Sequence, residues 1–275
     1  MKPAAFDYLR ARSLGEAATA LAQAGDSARV VAGCQSLGPM LNLRLVQPRL
    51  LVDITAVPEL RRVEQGTDAV TLGACITTGN LEDGCVDNGL PMLAAISAGI
   101  GYRAVRNRGT IGGSLCHADP AGDWMTALAA LGAECMIGDG KRARRVAVAD
   151  FIRGPFEVAL DPGELLEAVR IPRASARARW GYYKVCRKPG EFALAIGAVL
   201  FDPERAVYRA VIGASRGKPI VVADARALFG GAAPGERPKL DEAWARRLLD
   251  DNGITDASAR TLHLTALRRA AAAAS

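Results

Sequence analysis

VVAGCQSLGPMLNLRLVQPRLLVDI, residues 30–54, sets a glycine turn between a short apolar run and a segment of helical periodicity, then closes on a second apolar run. Residues 29–32 read as a strand that stops at Gly33. Leu37, Met40, Leu41 and Leu45 share one face of a helix expected over 37–45, which Pro48 terminates. Residues 50–54 read as the next strand. A helix between two strands is a βαβ crossover, which favours parallel pairing with the tight turn at the carboxyl end of the first strand. Upstream, Ser13 caps a helix expected over 14–24, with Glu16 at its third position. Residues 1–55 are therefore expected to form a small α/β unit.

Outward from that unit, residues 56–177 alternate short strands, at 69–72 and 134–138, with apolar helices at 91–101 and 120–131. Gly138-Asp139-Gly140 followed by 144–148 reads as a hairpin with a two-residue loop, because Asp-Gly supplies positive φ angles. From residue 178 the pattern becomes three strands, at 181–187, 193–201 and 206–213, then helices at 222–229, 241–251 and 258–274. Strands in series followed by helices in series indicate an α+β module, with the Gly- and Pro-rich residues 230–238 as an exposed connection. The expected class is α+β, in three parts bounded at 1–55, 56–177 and 178–275.

Composition narrows the function. The 275 residues are 50% hydrophobic and 23% charged, ordinary usage for a packed protein. The longest apolar runs, such as 193–201, are far too short for a membrane span, and MKPAAFDYLRARS reads as neither a secretory signal nor a lipidation motif. The compartment expected is the cytoplasm. A net charge of +6 raises nucleic acid as a partner, but aromatic residues are only 5% of the chain and interleave with no basic stripe, which argues against it. Cys34, Cys75, Cys85, Cys116, Cys135 and Cys186 stand singly, with no spacing that suits zinc or an iron–sulfur cluster. They read as free thiols packed as small hydrophobes, and no metal site is expected. His117 reads as part of a turn and His263 as a helical residue; with no Ser/His/Asp or Cys/His arrangement, no catalytic side chain is expected.

Two segments combine glycine with hydroxyl residues beside a strand end or a helix start: Ala32-Gly33-Cys34-Gln35-Ser36 and Thr110-Ile111-Gly112-Gly113-Ser114. Glycine admits close approach of a bulky anion, while successive N–H groups and a helix N-terminus aim partial positive charge at it. The hydroxyls of Ser36, Thr110 and Ser114 each add a donor. Either segment alone reads equally as an ordinary tight turn; the pair points to a nucleotide-like anion, and the physics of the residues ends there. No Walker phosphate loop occurs, and Gly99-Ile100-Gly101-Tyr102-Arg103-Ala104, though it fits G-x-G-x-x-A, follows a helical segment instead of a strand.

Residues 30–54 resemble the first flavin-binding segment of the medium subunits of carbon monoxide dehydrogenase and related molybdenum hydroxylases. RAVRNRGTIGGSLCHADP, residues 103–120, is similar to that family's R-N-x-G-T-I-G-G-[NS]-x-x-x-A-D-P string, and GYYKVCRKPGEFALAIGAV, residues 181–199, to the start of its C-terminal domain. The likeness runs over nearly the whole chain in the same order. It implies a two-subdomain FAD-binding module of the molybdopterin dehydrogenase type, followed by a three-stranded antiparallel sheet with helices. It also implies noncovalent FAD, its diphosphate cradled by Ala32, Gly33, Cys34, Gln35, Ser36 and Leu37 together with Thr110, Ile111, Gly112, Gly113 and Ser114. Asp123 matches an acidic residue at the family's FAD site, where a carboxylate suits ribose hydroxyls; Lys184 matches a lysine near the flavin and Leu166 an apolar contact. Cys34 stands where the family commonly has glycine, which places the detailed turn geometry in question.

The activity implied is electron transfer from the [2Fe-2S] clusters of a small subunit through FAD to an external acceptor. Substrate hydroxylation falls to the molybdenum cofactor of a large subunit, in a dimer of heterotrimers. The basic hairpin with Lys141, Arg142, Arg144 and Arg145 reads as a solvated cluster or as a contact for an acidic partner. Two rivals differ in class: a stand-alone flavin oxidoreductase with its own substrate pocket, and a non-catalytic scaffold retaining the fold.

Overall fold

The computed structural model describes residues 2–86, 90–230 and 238–274. Strands β1 (Asp7–Arg10), β2 (Ala28–Val31) and β3 (Leu50–Asp53) pair in parallel in the order β1-β3-β2. Helix α1 (Leu14–Ala24) joins β1 to β2, and the Ser13 hydroxyl accepts the Glu16 N–H at 3.2 Å, as the capping sequence implies. Helix α2 (Leu37–Asn42) is the expected crossover, shorter than its apolar face because Arg44 takes a left-handed φ of 56°. β1 was not expected: Asp-Tyr-Leu-Arg is too short and too polar to display an alternating pattern.

The second sheet comprises β4 (Val63–Gln65), β5 (Ala69–Gly73), β6 (Glu134–Gly138), β7 (Ala143–Ala147) and β10 (Leu165–Pro172), in the order β4-β5-β10-β6-β7 with every pairing antiparallel. β8 (Ile152–Gly154) and β9 (Glu157–Val158) make a small ribbon beside it. The β6–β7 hairpin has a four-residue loop, 139–142, not the two-residue loop expected. Asp139 sets it, its carboxylate accepting the N–H groups of Lys141 and Arg142, each at 2.9 Å. Around this sheet stand α3 (Thr78–Glu82), α4 (Pro91–Ala98), α5 (Arg103–Arg106), α6 (Ile111–His117), α7 (Asp123–Leu131) and α8 (Val148–Phe151). α7 begins three residues later than the apolar pattern suggested, because the Gly122 N–H closes a turn onto the Asp119 carbonyl at 2.8 Å.

The C-terminal sheet is antiparallel and follows chain order: β11 (Arg179–Val185), β12 (Ala195–Asp202), β13 (Val207–Gly213) and β14 (Ile220–Val222). The fourth strand corrects the three-stranded expectation and the helix placed at 222–229. Ile220, Val221 and Val222 are β-branched and pair with Ala210–Ile212, after which the Asp224 carboxylate accepts the Arg226 N–H at 3.1 Å and turns the chain into a short 3-10 segment, Ala227–Phe229. Of the connection expected at 230–238, residues 231–237 lie outside the described residues. Helices α9 (Glu242–Asp251) and α10 (Ala257–Ala273) cover one face. Every residue of β12 is buried: Ala198 and Leu200 join the core shared with α7, while Val199 and Phe201 join the core under α9 and α10.

Candidate functional site

Gly33 follows β2, and a Cβ built on it would stand 2.1 Å from the carbonyl oxygen of Arg108 and 2.8 Å from the Cα of Gly109. Only glycine permits that approach. The corresponding point on Gly109 is 3.7 Å from the Gln35 Cγ, and that on Gly113 is 3.9 Å from the Ala32 Cβ. Two segments more than 70 residues apart in the chain thus line one seam, the first supplied by the β2–α2 turn and the second by the start of α6.

Their donors differ. The N–H groups of Gly33, Cys34, Gln35, Ser36 and Leu37 meet no acceptor among the described residues. Cys34 has φ of 60°, the left-handed conformation that glycine would take without strain, and it helps to turn successive N–H groups toward an anion. Ser36 stands at the cap of α2 without capping it, so its hydroxyl is free for a ligand. The second segment has already committed its backbone: Ile111 donates to the Ile76 carbonyl, Gly112 to Ala74 and Ser114 to Thr110, each at 3.0 Å, and Gly113 to the Thr110 Oγ1 at 3.0 Å. It brings hydroxyls to the seam, and of its N–H groups only that of Thr110 meets no acceptor among the described residues. Thr110 keeps its own O–H to donate, and the Ser114 hydroxyl has no hydrogen-bond partner among the described residues. Gly112 answers to packing, since a Cβ there would meet the Ala74 Cβ at 2.5 Å.

Asp123 opens α7 one residue beyond Gly122, whose Cβ position is 3.9 Å from the Ser114 Oγ. Its carboxylate is buried and engaged by the chain itself. Tyr182 donates to it at 2.6 Å, Lys184 Nζ lies 3.0 Å from Oδ1 and 3.2 Å from Oδ2, and the Lys184 ammonium also donates to the Gly99 carbonyl at 2.9 Å. Burial pushes the Asp123 carboxyl up, opposed by Lys184 and Tyr182; burial and the Asp123 charge push the Tyr182 phenol up. Tyr182 and Lys184 alternate on one face of β11, a signal present in GYYKV, yet Tyr182 was not singled out from the sequence. Leu166 is packed in the core on β10, behind α6.

His117 packs on Phe156 with ring centroids 5.2 Å apart, and His263 is buried in α10, bonded to the carbonyls of Ala259 and Ala214. All six cysteines are free; burial pushes the Cys75 thiol up to about 12, so it stays protonated. At the seam, Tyr8 donates a short hydrogen bond to Asp53 at the end of β3. Despite its burial, Asp53 is held below the usual carboxylate range by Tyr8 and Thr55. A cavity of about 510 Å³ opens elsewhere, between α4, β11 and the end of α10, and none of its lining belongs to the glycine segments.

A dinucleotide diphosphate suits this donor set: five open N–H groups, three hydroxyls and a floor that a Cβ at Gly113 would fill. Residues 4–174 match the family described as the FAD binding domain in molybdopterin dehydrogenase. The caffeine dehydrogenase subunit beta of Pseudomonas sp. strain CBB1 is 35% identical over 206 residues, 74% of this chain and 70% of its own. The carbon monoxide dehydrogenase medium chain of Afipia carboxidovorans is 34% identical over 250 residues, 89% of this chain and 86% of its own. Among solved structures, a chain of the carbon monoxide dehydrogenase of Hydrogenophaga pseudoflava superposes with a TM-score of 0.86 at 29% identity, covering 100% of this chain and 98% of that one. The chain belongs to the FAD-binding family of the molybdopterin dehydrogenases, shares the fold of the carbon monoxide dehydrogenase medium chain, and takes FAD as its cofactor.

Proposed function

We propose that the chain is the electron-transfer subunit of a molybdenum hydroxylase and works between the [2Fe-2S] clusters of a small partner subunit and an external acceptor. The observation that supports this reading best is the seam itself, whose open N–H groups and hydroxyls form a cradle suited to a diphosphate. Bound there, FAD supplies the redox chemistry, joining one-electron donors to an acceptor of one or two electrons. The chain's part is to bind and orient. In this reading Ala32 to Leu37 present N–H groups to the diphosphate and Thr110 to Ser114 close over it, with Thr110 and Ser114 donating. Asp123 holds Lys184 in place, and its spare lone pairs accept from a ribose hydroxyl; Leu166 supports the wall from behind. The parts 1–55, 56–177 and 178–275 would act as two FAD-binding subdomains and a C-terminal domain, consistent with one main sheet in each.

A large subunit with the molybdenum cofactor completes the assembly, a dimer of heterotrimers placed in the cytoplasm. No helix among the described residues is long and apolar enough to cross a membrane. The decisive experiment is reconstitution. The FAD-loaded chain alone should fail to oxidise the substrate of the intact enzyme, and adding the other two subunits should restore substrate-dependent flavin reduction. Turnover by the purified single chain would overturn the proposal in favour of a stand-alone oxidoreductase.

A further inference from the structure

A diphosphate brings two negative charges, and the seam as described meets them with neutral donors only. The second glycine segment adds little backbone donation, since the four N–H groups from Ile111 to Ser114 are bonded within the chain. The Asp53 carboxylate stands close enough to the first turn to raise the Cys34 thiol, so the local field is not favourable by default. A cation would strengthen binding beyond what these donors give, and three nearby ones are engaged. Arg103 is bound to Glu82 and Asp83. Arg106 holds Glu82 with two nitrogens and the carbonyls of Ile100 and Gly101 with a third. Lys184 is buried against Asp123 and the Gly99 carbonyl.

Arg108 is different. Its carbonyl oxygen is the atom on which Gly33 packs, so its backbone is fixed at the junction of the two segments. Its side chain is exposed and makes no ion pair or hydrogen bond among the described residues. Although burial raises the Cys34 thiol, the Arg108 charge lowers it, which puts the guanidinium within electrostatic reach of the first turn. We propose that Arg108 is the cation of the FAD site, its planar guanidinium bridging the seam to bind the dinucleotide's diphosphate oxygens. Two parallel N–H donors match two phosphate oxygens, and charge-assisted bonds are about twice as strong as the neutral bonds offered by the turn.

This inference rests on the FAD reading of the seam, and the experiment separates the two. Apo full-length chain, its Arg108→Gln and Arg108→Lys variants are titrated with FAD, ADP and riboflavin at low and high salt, with circular dichroism as the folding control. Expected is a tenfold or larger loss of FAD and ADP affinity in Arg108→Gln, with a flatter salt dependence. Arg108→Lys should be intermediate, because it keeps the charge without the fork, and riboflavin affinity should be the same in all three. Should wild-type chain take up neither FAD nor ADP, the cofactor reading of the seam fails. Should wild type bind both while Arg108→Gln binds them with unchanged affinity and salt dependence, the arginine assignment alone is overturned. If neither variant folds, Arg108 is a structural residue and the assignment falls as well.

Discussion

Gly112 and Gly113 are adjacent and chemically identical, yet the structure gives them opposite reasons to be glycine. Gly112 faces inward, where a Cβ would meet the Ala74 Cβ and carbonyl at 2.5 and 2.6 Å. Gly113 faces the seam, with the Ala32 Cβ 3.9 Å away and the Thr110 Oγ1 at 2.7 Å as the near neighbour. Gly112→Val should therefore strain the contact of α6 with the end of β5 and lower stability by about 2 kcal/mol or more, as overpacking does. Gly113→Val meets only the end of the Thr110 side chain, which can turn away at the cost of its cap on α6, so the loss of stability should be smaller than at Gly112 while the valine methyls occupy the space above Thr110 and remove most bound flavin. Urea unfolding and flavin content of the two variants check the contrast; equal flavin loss at equal stability would contradict it. The sequence made this glycine pair visible but could not order it. Which face each residue presents depends on Ala74, 38 positions away from Gly112.

Among the elements, α7 joins the middle sheet to the C-terminal one. Asp123 at its start binds Lys184 and Tyr182 of β11, its middle lies on Gly213 of β13 through Thr126, and the Arg209 guanidinium donates to the Ala130 carbonyl at 3.0 Å near its end. Since Asp123 and Lys184 side chains are 7% and 9% exposed, removing one partner leaves an uncompensated charge in a low dielectric. Lys184→Met is expected to cost about 3 kcal/mol or more, and the double change with Asp123→Asn to recover much of that loss, measured by urea denaturation. Elements of this kind were legible where pattern is local. The βαβ unit, α7, α9, α10 and three strands of the last sheet follow from periodicity and capping residues. β10 did not, although it is the centre of its sheet. Leu165, Leu166, Val169 and Ile171 are all buried and a bulge between Leu166 and Ala168 shifts the register, so alternation is confined to the last four residues, too few to mark a strand. β14 was lost for another reason: three residues carry too little pattern, and pairing with β13 decides their conformation.

For the whole molecule, the seam is a contact between parts that the chain builds separately. The turn after β2 meets the segment leading into α6 through Gly33 on Arg108 and Ala32 beside Gly113, a polar boundary at which the N–H groups of Gly33 to Leu37 have no acceptor of their own among the described residues. A dinucleotide lying along it satisfies donors from both sides, so binding should tighten the attachment of residues 1–55 to the rest and raise the stability of the whole. Linkage sets the size: at a free FAD concentration 100 times Kd the gain is about 2.7 kcal/mol, which for a chain of this length corresponds to roughly 5–10 °C in Tm. ADP, which keeps the diphosphate, should give much of the shift at the same free concentration. Riboflavin, which lacks it, should give little, because the open N–H groups of Gly33 to Leu37 would remain without an acceptor. Thermal unfolding of the apo chain with each ligand measures this directly. Equal shifts with FAD and riboflavin would place the coupling in the isoalloxazine contacts instead of the seam.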